Sequence, residues 1–426
     1  MRSRLASAVQ SLSVRNYRLF ATGQLVKLLG VWAMFTAQDW LVLTLSGDSA
    51  TALGVVTALQ FIPVLLLTLY GGRLADRYDK RRLLIGANAA WAVLAVVFAG
   101  LVAAGVVTLW HVYVFAAAMG VAAAIETPVR QAFVSELVGA TLLPNALSLS
   151  AATFNSARIL GPALAGLALA TVDIGPTFVL SAVLAVAPVF TFVRMRTADL
   201  HRDPGTTAAA GARIVDGLRY VVHRPDLLLP IALMSVVGLI GLNFTVTLAA
   251  LAKTEFHTGP GKFGLLTTAL AAGALVGALV SGGRRARPSV YVVIGAAAAF
   301  GAAEIAVGLS PGFAAAAVLL VPTGFFMVLF GQAANQRVQM GTDPRYRGRV
   351  MALYILVFLG TTPIGAPLVG WLAEHIGPGA SIWVGGLGSL LAAAVALVCK
   401  LHRTGERLRL RLAPVPRLCV VPSPYA

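Results

Sequence analysis

The chain has 426 residues, of which 58% are hydrophobic and 12% are charged, with a mean hydropathy of +0.84. A soluble domain carries about 25% charged residues, so this composition excludes a soluble globular protein and predicts a membrane protein. The formal net charge is +17, and the positions of the basic residues decide how that charge is interpreted.

Apolar stretches long enough to cross a bilayer recur along the chain. A transmembrane helix needs about 20 consecutive apolar residues. The sequence therefore predicts an all-α membrane protein with twelve transmembrane helices. They are expected at 19–45, 51–72, 83–104, 108–126, 145–170, 174–194, 226–250, 263–282, 289–309, 313–335, 348–372 and 380–400.

The spans form two groups of six, which predicts two pseudo-symmetric bundles at 1–194 and 226–401. Inverted or repeated halves are a common design of secondary transporters. Motifs of the first half return in the second. Pro128-Val-Arg130-Gln131 precedes the fifth span, and Asn335-Gln336-Arg337 precedes the eleventh. A duplication is the simplest account of this echo.

A polar linker, 195–225, joins the two halves. Its first part, 201–211, is expected to be flexible. Apolar residues then recur at helical spacing opposite charged ones, which predicts a short helix on the inner membrane surface; they are Ile214, Leu218, Val221 and Val222. The tail, 402–426, holds five arginines and four prolines. We expect a disordered basic strip against anionic lipid.

The basic residues lie almost wholly on one side of the predicted topology. With both termini inside, cytoplasmic segments hold 29 of the 33 bases, and the outer loops hold only Lys253 and Lys262. Bases stay on the cytoplasmic side of a bilayer. This asymmetry predicts cytoplasmic termini and excludes a nucleic-acid partner as the reason for the charge.

The turn between the second and third spans is the most informative segment. It reads Gly71-Gly-Arg-Leu-Ala-Asp-Arg-Tyr-Asp-Lys-Arg-Arg82. The pattern Gly-x-x-x-Asp-Arg-x-x-(Lys/Arg)-Arg at this place resembles the signature loop of the major facilitator superfamily. That resemblance implies a twelve-helix carrier that works by alternating access. Asp79 stands where the superfamily usually has glycine.

Further segments resemble the bacterial exporter branch of this superfamily, which includes the enterobactin exporter and actinobacterial efflux proteins. The resemblance implies outward movement of small organic molecules in exchange for protons. The fourth span, 112–125, lacks the intramembrane arginine that many drug/proton antiporters carry. The matching segments are Asn16–Phe20, Ala37–Val42, Ala58–Pro63, Pro128–Leu137, Arg158–Gly166 and Arg347–Met351.

The resemblance assigns the signature loop to an inner gate. Asp76 would face the N-terminus of a helix from the other half, where a carboxylate gains roughly 0.3–1 kcal/mol. Glu126 and Arg130 are spaced as an ordinary helical pair, and they are also candidates for this gate. The predicted inner gate is therefore Gly72, Arg73, Asp76, Arg77, Glu126 and Arg130.

Glycines flank proline in the fifth and eleventh spans. Proline cannot donate a backbone hydrogen bond, so Pro162 frees the carbonyl of Arg158 and weakens the helix there. A bend that helps the conformational change is one interpretation, and close packing through small residues is the other. The predicted bend positions are Gly161, Pro162, Gly166, Gly365, Pro367 and Gly370.

Charged residues inside spans need a reason, because a charge at the bilayer centre costs about 2.5–3.5 kcal/mol. Asp39 is the candidate site for a coupling proton, with an outer-gate pair and a solvated edge as alternatives. Arg158 either binds an anionic substrate group or acts as a fixed hydrogen-bond hub. Lys27 is expected to snorkel, and Glu304 to make an outer-edge hydrogen bond.

Sparse polar groups at mid-depth among apolar walls suit a site for amphiphilic ligands. The predicted cavity residues are Gln38, Gln60, Asn155, Arg158 and Asn243. No metal-ligand cluster, nucleophile motif or phosphate loop is recognisable. We therefore expect neither an enzyme nor a cofactor.

The leading prediction is a proton-coupled exporter of a small hydrophobic, drug-like or siderophore-like compound. The alternatives are an uptake symporter or uniporter of the same fold, and a receptor that does not transport. The expected partners are a small-molecule substrate, protons and the bilayer. The expected location is the bacterial inner membrane, and the expected state is a monomer.

Overall fold

The structure is a computed structural model that describes residues 10–201, 214–282, 286–404, 406–411 and 417–422. Within these residues the chain is almost wholly helical. In chain order the helices are α1 Arg15–Leu45, α2 Ala50–Arg77, α3 Lys80–Ala103, α4 Leu109–Gly139, α5 140–171, α6 Ile174–Val193, α7 Ile214–Val222, α8 Pro225–Glu255, α9 Pro260–Gly282, α10 Val290–Gly308, α11 Phe313–Gly341, α12 Arg347–Ile376 and α13 Pro378–Thr404.

Eleven of the described helices are long and apolar enough to cross a membrane, and α5 is not among them. Large apolar side chains on the outside of the bundle are open to lipid: Leu66, Leu279 and Val318 are at least 70% exposed. The predicted all-α membrane fold is confirmed. The count of twelve spans stays a prediction.

Helices α4 and α5 form one run, Leu109–Thr171, which bends at Gly139. The backbone there has φ +68°, a conformation that glycine adopts at little cost. A Cβ at this position would lie 3.3 Å from the His201 ring. The bend marks the boundary between the fourth and fifth predicted spans.

The two ends of the bundle differ in character. The basic end holds the start of α1, the turn between α2 and α3, and the starts of α8 and α12. The far end holds the turns 46–49, 256–259 and 377.

At the basic end Asp79 caps α3 by accepting from the Arg82 amide at 2.8 Å. Arg81 donates to the last carbonyls of α6, those of Phe192 and Val193, at 2.8 Å each. The signature loop therefore joins three helices of the first half.

Glycine lets helices approach closely within each half. A Cβ on Gly23 or Gly30 of α1 would overlap Thr191 or Leu184 of α6. In the second half, Gly301 and Gly308 of α10 stand in the same relation to α13. Such contacts matter because lipid tails are as apolar as the side chains, so packing must replace the hydrophobic effect.

A buried ion pair joins α1 to α4. Lys27 Nζ lies 3.4 Å from Glu126 Oε1, and Arg130 Nε lies 3.0 Å from the same oxygen. The Lys27 and Glu126 side chains are only 6% and 8% exposed. The expectation that Lys27 snorkels is wrong, because its ammonium turns inward to Glu126 and lies 5.6 Å from the centre of the Trp91 ring.

The two halves meet at the far end through small residues. A Cβ on Gly370 of α12 would overlap the Ala50 carbonyl of α2, and one on Gly54 would overlap Ala366. On the other side of the bundle, a Cβ on Gly264 of α9 would lie 2.7 Å from the Pro162 carbonyl of α5. Two contacts between the halves, α2 with α12 and α5 with α9, thus close this end through glycine.

Polar contacts complete the far-end closure. Lys253 Nζ lies 2.8 Å from Asp48 Oδ1. Glu374 accepts from the Ser49 hydroxyl at 2.8 Å and from the Thr51 amide at 3.0 Å. Glu374 of the second half therefore completes the N-terminal cap of α2 in the first half.

Helix α8 is not the continuous span that the sequence predicts. Its α-helical parts are Pro225–Ile240 and Phe244–Ala250, and a π-helical turn follows at Leu251–Glu255. Helix α12 is likewise interrupted, at Thr361. A Cβ on Gly238 of α8 would contact Thr361, and a Cβ on Gly241 would contact Glu304.

The linker contains the helix α7, whose Tyr220 ring stacks on Tyr346 with centroids 4.4 Å apart. Residues 202–213, and with them most of the stretch expected to be flexible, lie outside the described residues. The tail is described only in part, and its expected disorder stays a prediction. Its strands Glu406–Arg411 and Arg417–Pro422 pair antiparallel. The alternation of arginine and leucine over 407–411 has the two-residue period of a strand.

We expect Glu126→Gln to destabilise the first half. Removing one partner of a buried ion pair costs about 3–5 kcal/mol, because Lys27 keeps its burial without a counter-charge. The measurement is denaturant unfolding in mixed micelles. Adding Lys27→Met to Glu126→Gln should recover most of the loss. Glu136→Gln is the control, since its partner Lys80 is 24% exposed. Equal losses in Glu126→Gln and Glu136→Gln would contradict the assignment.

We expect Gly370→Leu to open the far end, because the new side chain overlaps α2. Spin labels at Val106 and Leu309 report on this, since both residues are exposed and lie at that end of opposite halves. Pulsed distance measurements should show a longer population than in the parent protein. Gly348→Leu is the control, as no atom lies within 4 Å of its Cβ position. An unchanged distance distribution in folded Gly370→Leu protein would refute the proposed contact.

Candidate functional site

A central cavity of about 200 Å³ lies between the two halves. Helices α1, α2 and α5 form its wall in the first half, and α8, α9 and α11 form its wall in the second. Aromatic side chains supply much of the surface, and the tight glycine contacts separate the cavity from the far end. The lining includes Trp32, Phe35, Thr36, Asp39, Thr57, Gln60, Phe61, Arg158, Pro162, Phe244, Thr245, Phe263, Thr267 and Met327.

Asp39 and Arg158 are the two charged residues of this lining. Asp39 is 9% exposed, and within the described part of the chain its carboxylate has no hydrogen bond or ion pair. The Arg158 guanidinium lies 5.9 Å from the centre of the Trp32 ring and has no acidic partner among the described residues. Trp32 Nε1 is buried and also lacks an acceptor there. The cavity thus presents one acid, one base and one free indole donor.

The predicted cavity residues divide into two groups. Gln60 and Arg158 line the cavity. Gln38 is fully buried elsewhere, with neither side-chain polar atom paired in the described structure. Asn155 and Asn243 donate to carbonyls of their own helices, those of Ala151 and Leu239, at 2.8 and 2.9 Å.

Neither Asn155 nor Asn243 belongs to the lining. Both residues have the mid-span depth on which the prediction relied, but depth alone does not fix the direction of a side chain. Asn243 instead sits at the break of α8, next to the cavity residue Phe244.

The predicted inner-gate residues occupy two different places. Arg73, Asp76 and Arg77 are exposed at the basic end, and Gly72 has open space where a Cβ would stand. No described residue of the second half contacts the Asp76 carboxylate. Glu126 and Arg130 belong to the ion pair with Lys27 inside the first half.

The glycine–proline segments act as contact surfaces. A Cβ on Gly161 would overlap Trp32 of α1, and Gly166 lies against Gly264 of α9. In α12, Gly365 lies against Leu239 of α8, while Pro367 and Gly370 face α2. Pro162 lines the cavity within an otherwise continuous helix. The packing interpretation describes these contacts, and the role in bending stays a prediction.

The far-end polar contacts were missed by the sequence analysis. The sequence marks Lys253 as one of two bases in the predicted outer loops, but no local pattern predicts the contacts of Glu374. The rarity of bases on that side was the available signal, because a lone outer base needs a local partner. Lys253 finds it in Asp48 and also lies 5.3 Å from the centre of the Trp40 ring.

Glu304 makes the type of contact that the sequence analysis preferred, because the Ser389 hydroxyl donates to its Oε2 at 3.4 Å. It is 2% exposed and lies among α8, α10 and α13, away from the cavity lining. The second half therefore contains a buried acid that is separate from the central cavity.

Comparison with known proteins gives consistent results. Residues 6–418 match the family described as transmembrane secretion effector. The multidrug efflux pump Tap of Mycolicibacterium fortuitum is 26% identical over 85% of this chain and 90% of its own length. The enterobactin exporter EntS of Salmonella choleraesuis is 26% identical over 81% of each chain.

Solved structures support the same fold. One is a bacterial homologue of the human lysosomal transporter Spinster in an inward-facing, unoccupied conformation. It superposes with a TM-score of 0.68 at 16% identity, and the match covers 90% of this chain and 94% of that one. The chain belongs to the transmembrane secretion effector family of transporters with the major facilitator fold.

Proposed function

We propose that this transporter exports a small amphiphilic compound, drug-like or siderophore-like, in exchange for protons. The observation that carries the proposal is the Asp39 carboxyl, which has no partner among the described residues and lines an aromatic cavity between the halves. An isolated charge in the membrane interior is costly. Uptake of a proton or of a cationic group during transport would offset the cost of this buried carboxylate.

The charge distribution supports an orientation. If the basic end faces the cytoplasm, as the positive-inside rule requires, the closed far end faces outward and the structure is inward-facing. Among the described residues, Asp76 has no hydrogen bond or ion pair to the second half, which suits an open inner gate. A substrate would then enter the cavity from the cytoplasm.

The cavity chemistry supports an exchange mechanism. In the outward-facing state, Asp39 takes up a proton and becomes neutral. In the inward-facing state it releases that proton, and its charge then favours a cationic or hydrogen-bond-donating group of the substrate. Arg158 and Trp32 Nε1 offer donors to an acceptor group of the same molecule, and the aromatic rings cover its apolar parts.

The relatives support the direction. Tap is named an efflux pump and EntS an exporter, and both match most of this chain. Drug-like compounds and siderophores such as enterobactin are therefore the first candidates for the cargo. Proton exchange for that cargo is consistent with one titratable group in the cavity.

The test is transport by purified protein in liposomes that contain a pH-sensitive dye. A panel of lipophilic cations, macrolides and catecholate siderophores is added outside. Exchange moves protons opposite to the compound, so inward movement of a substrate should make the lumen more alkaline. Acidification of the lumen by the same compound would indicate symport and overturn the export proposal.

We expect Asp39→Asn to abolish substrate-driven proton movement while substrate binding persists with lower affinity, through Arg158, Trp32 and the aromatic rings. Glu304→Gln is the matched control, because Glu304 is also a buried acid but lies outside the cavity, and it should retain coupling. Both variants are assayed with the pH dye and by substrate-induced tryptophan quenching. Wild-type proton movement in Asp39→Asn protein, or its loss in Glu304→Gln alone, would exclude Asp39 as the coupling group.

A further inference from the structure

The two halves differ at one equivalent pair of helices. In the first half, α1 and α6 pack together along their length through Gly23 and Gly30. In the second half the corresponding helices are α8 and α13. They meet near mid-span, where Gly385 and Gly388 lie against Ile240. From there towards the basic end they separate.

The separation leaves a groove of about 800 Å³, within the roughly 300–1,000 Å³ that ligand sites usually occupy. We call it the α8–α13 groove. One face of α13 lines it from Gly388 to Arg403 at the three- and four-residue spacing of a helix. The facing wall is α8 from Pro225 to Val236. The walls are mostly apolar, and Val236, Leu391 and Val395 are 41%, 57% and 61% exposed.

The dimensions of the groove match one lipid leaflet. From Pro225 to Val236 the α8 wall is about 16 Å long at 1.5 Å per residue. Half of the hydrocarbon core is about 15 Å thick. The groove begins at the basic end and reaches mid-membrane, so an acyl chain that entered along it would have its head group at the basic end.

The charges at that end are complementary to a phosphate. Arg337, Lys400 and Arg403 line the groove there. The one acid of the lining, Asp226, is already paired: Arg224 Nε and Arg287 Nη2 both lie 2.9 Å from its oxygens. Arg337 Nε is buried without an acceptor in the described structure. The described lining therefore holds three bases and one acid that already has two basic partners.

We propose that the α8–α13 groove is a binding site for an anionic phospholipid of the basic-end leaflet. The acyl chain lies between α8 and α13, and the phosphate meets Arg337, Lys400 and Arg403. Basic pockets between helices on the cytoplasmic side are suited to anionic head groups. The lipid replaces the helix contact that α1 and α6 make in the first half, and it thereby holds α8 against α13.

Cys399 offers a direct probe, because it is exposed and lines the groove. Delipidated protein with Cys419→Ser is titrated with phosphatidylglycerol or phosphatidylcholine in mixed micelles. The rate of Cys399 alkylation by neutral N-ethylmaleimide is then measured. Phosphatidylglycerol should slow alkylation, and phosphatidylcholine at the same mole fraction should not. This readout does not depend on transport, so it is separate from the test of the exporter proposal.

Two pairs of variants test the contacts. Arg403→Gln with Lys400→Gln should raise the half-protecting fraction of phosphatidylglycerol on the order of 30-fold, because each base near the surface contributes about a factor of five. The control is Arg345→Gln with Arg347→Gln, two exposed bases of the same end outside the lining.

Ala232→Trp should fill the groove, whereas Val318→Trp places the same ring on another lipid face. The half-protecting fraction is compared rather than the rate, so that the intrinsic reactivity of the thiol does not enter the comparison.

The expected result is protection by phosphatidylglycerol that is lost in Arg403→Gln/Lys400→Gln and in Ala232→Trp, and kept in both controls. Equal protection by phosphatidylcholine would overturn the proposal, because the groove would then not select anionic lipid. Undiminished protection in the charge variant would overturn it as well, since the phosphate would be bound elsewhere.

Discussion

Close approach of helix backbones is the constraint on which the structure depends. Inside a bilayer there is no hydrophobic effect to press helices together, so contact must come from packing surfaces without side chains in the way. Glycine meets that need within each half and, at the far end, between the halves. The same small residues shape the central cavity, because Gly161 brings α5 against Trp32 and Gly264 brings α9 against α5.

The buried charged residues fall into two groups, one that holds helices together and one that faces the central cavity. Lys27 and Glu126 are buried but paired, and they bind α1 to α4. Asp39 and Arg158 also lie within predicted spans, but they face a cavity and have no partner of opposite charge among the described residues. The membrane penalises both arrangements, yet only the second leaves a charge available to a ligand or a proton. The central cavity, rather than the basic end, is therefore the candidate site for a ligand or a proton.

The fold class and family could be predicted because they depend on patterns that a sequence displays. Apolar run length predicts the spans, and the loop from Gly71 to Arg82 carries the family pattern.

Contacts between distant segments could not be predicted in the same way. The depth of Lys27 was compatible with snorkelling, and only the position of Glu126 on α4 explains why the ammonium turns inward. Asn155 and Asn243 had suitable depth, but their rotation about the helix axis decided that they miss the cavity. The groove between α8 and α13 depends on two helices 150 residues apart diverging, which no local pattern reports.

The Glu374 contact has a consequence for the behaviour of the empty protein. Its carboxylate accepts from the Thr51 amide, in the first turn of α2, and from the Ser49 hydroxyl, so the second half supplies part of the cap of a helix in the first half. When the far end opens, that amide and the carboxylate must each be rehydrated. Breaking this contact therefore adds a cost to opening the far end of the empty protein. With the basic end in the cytoplasm, as in the proposed orientation, the same contact would oppose opening of the outward side in the absence of a ligand or a proton.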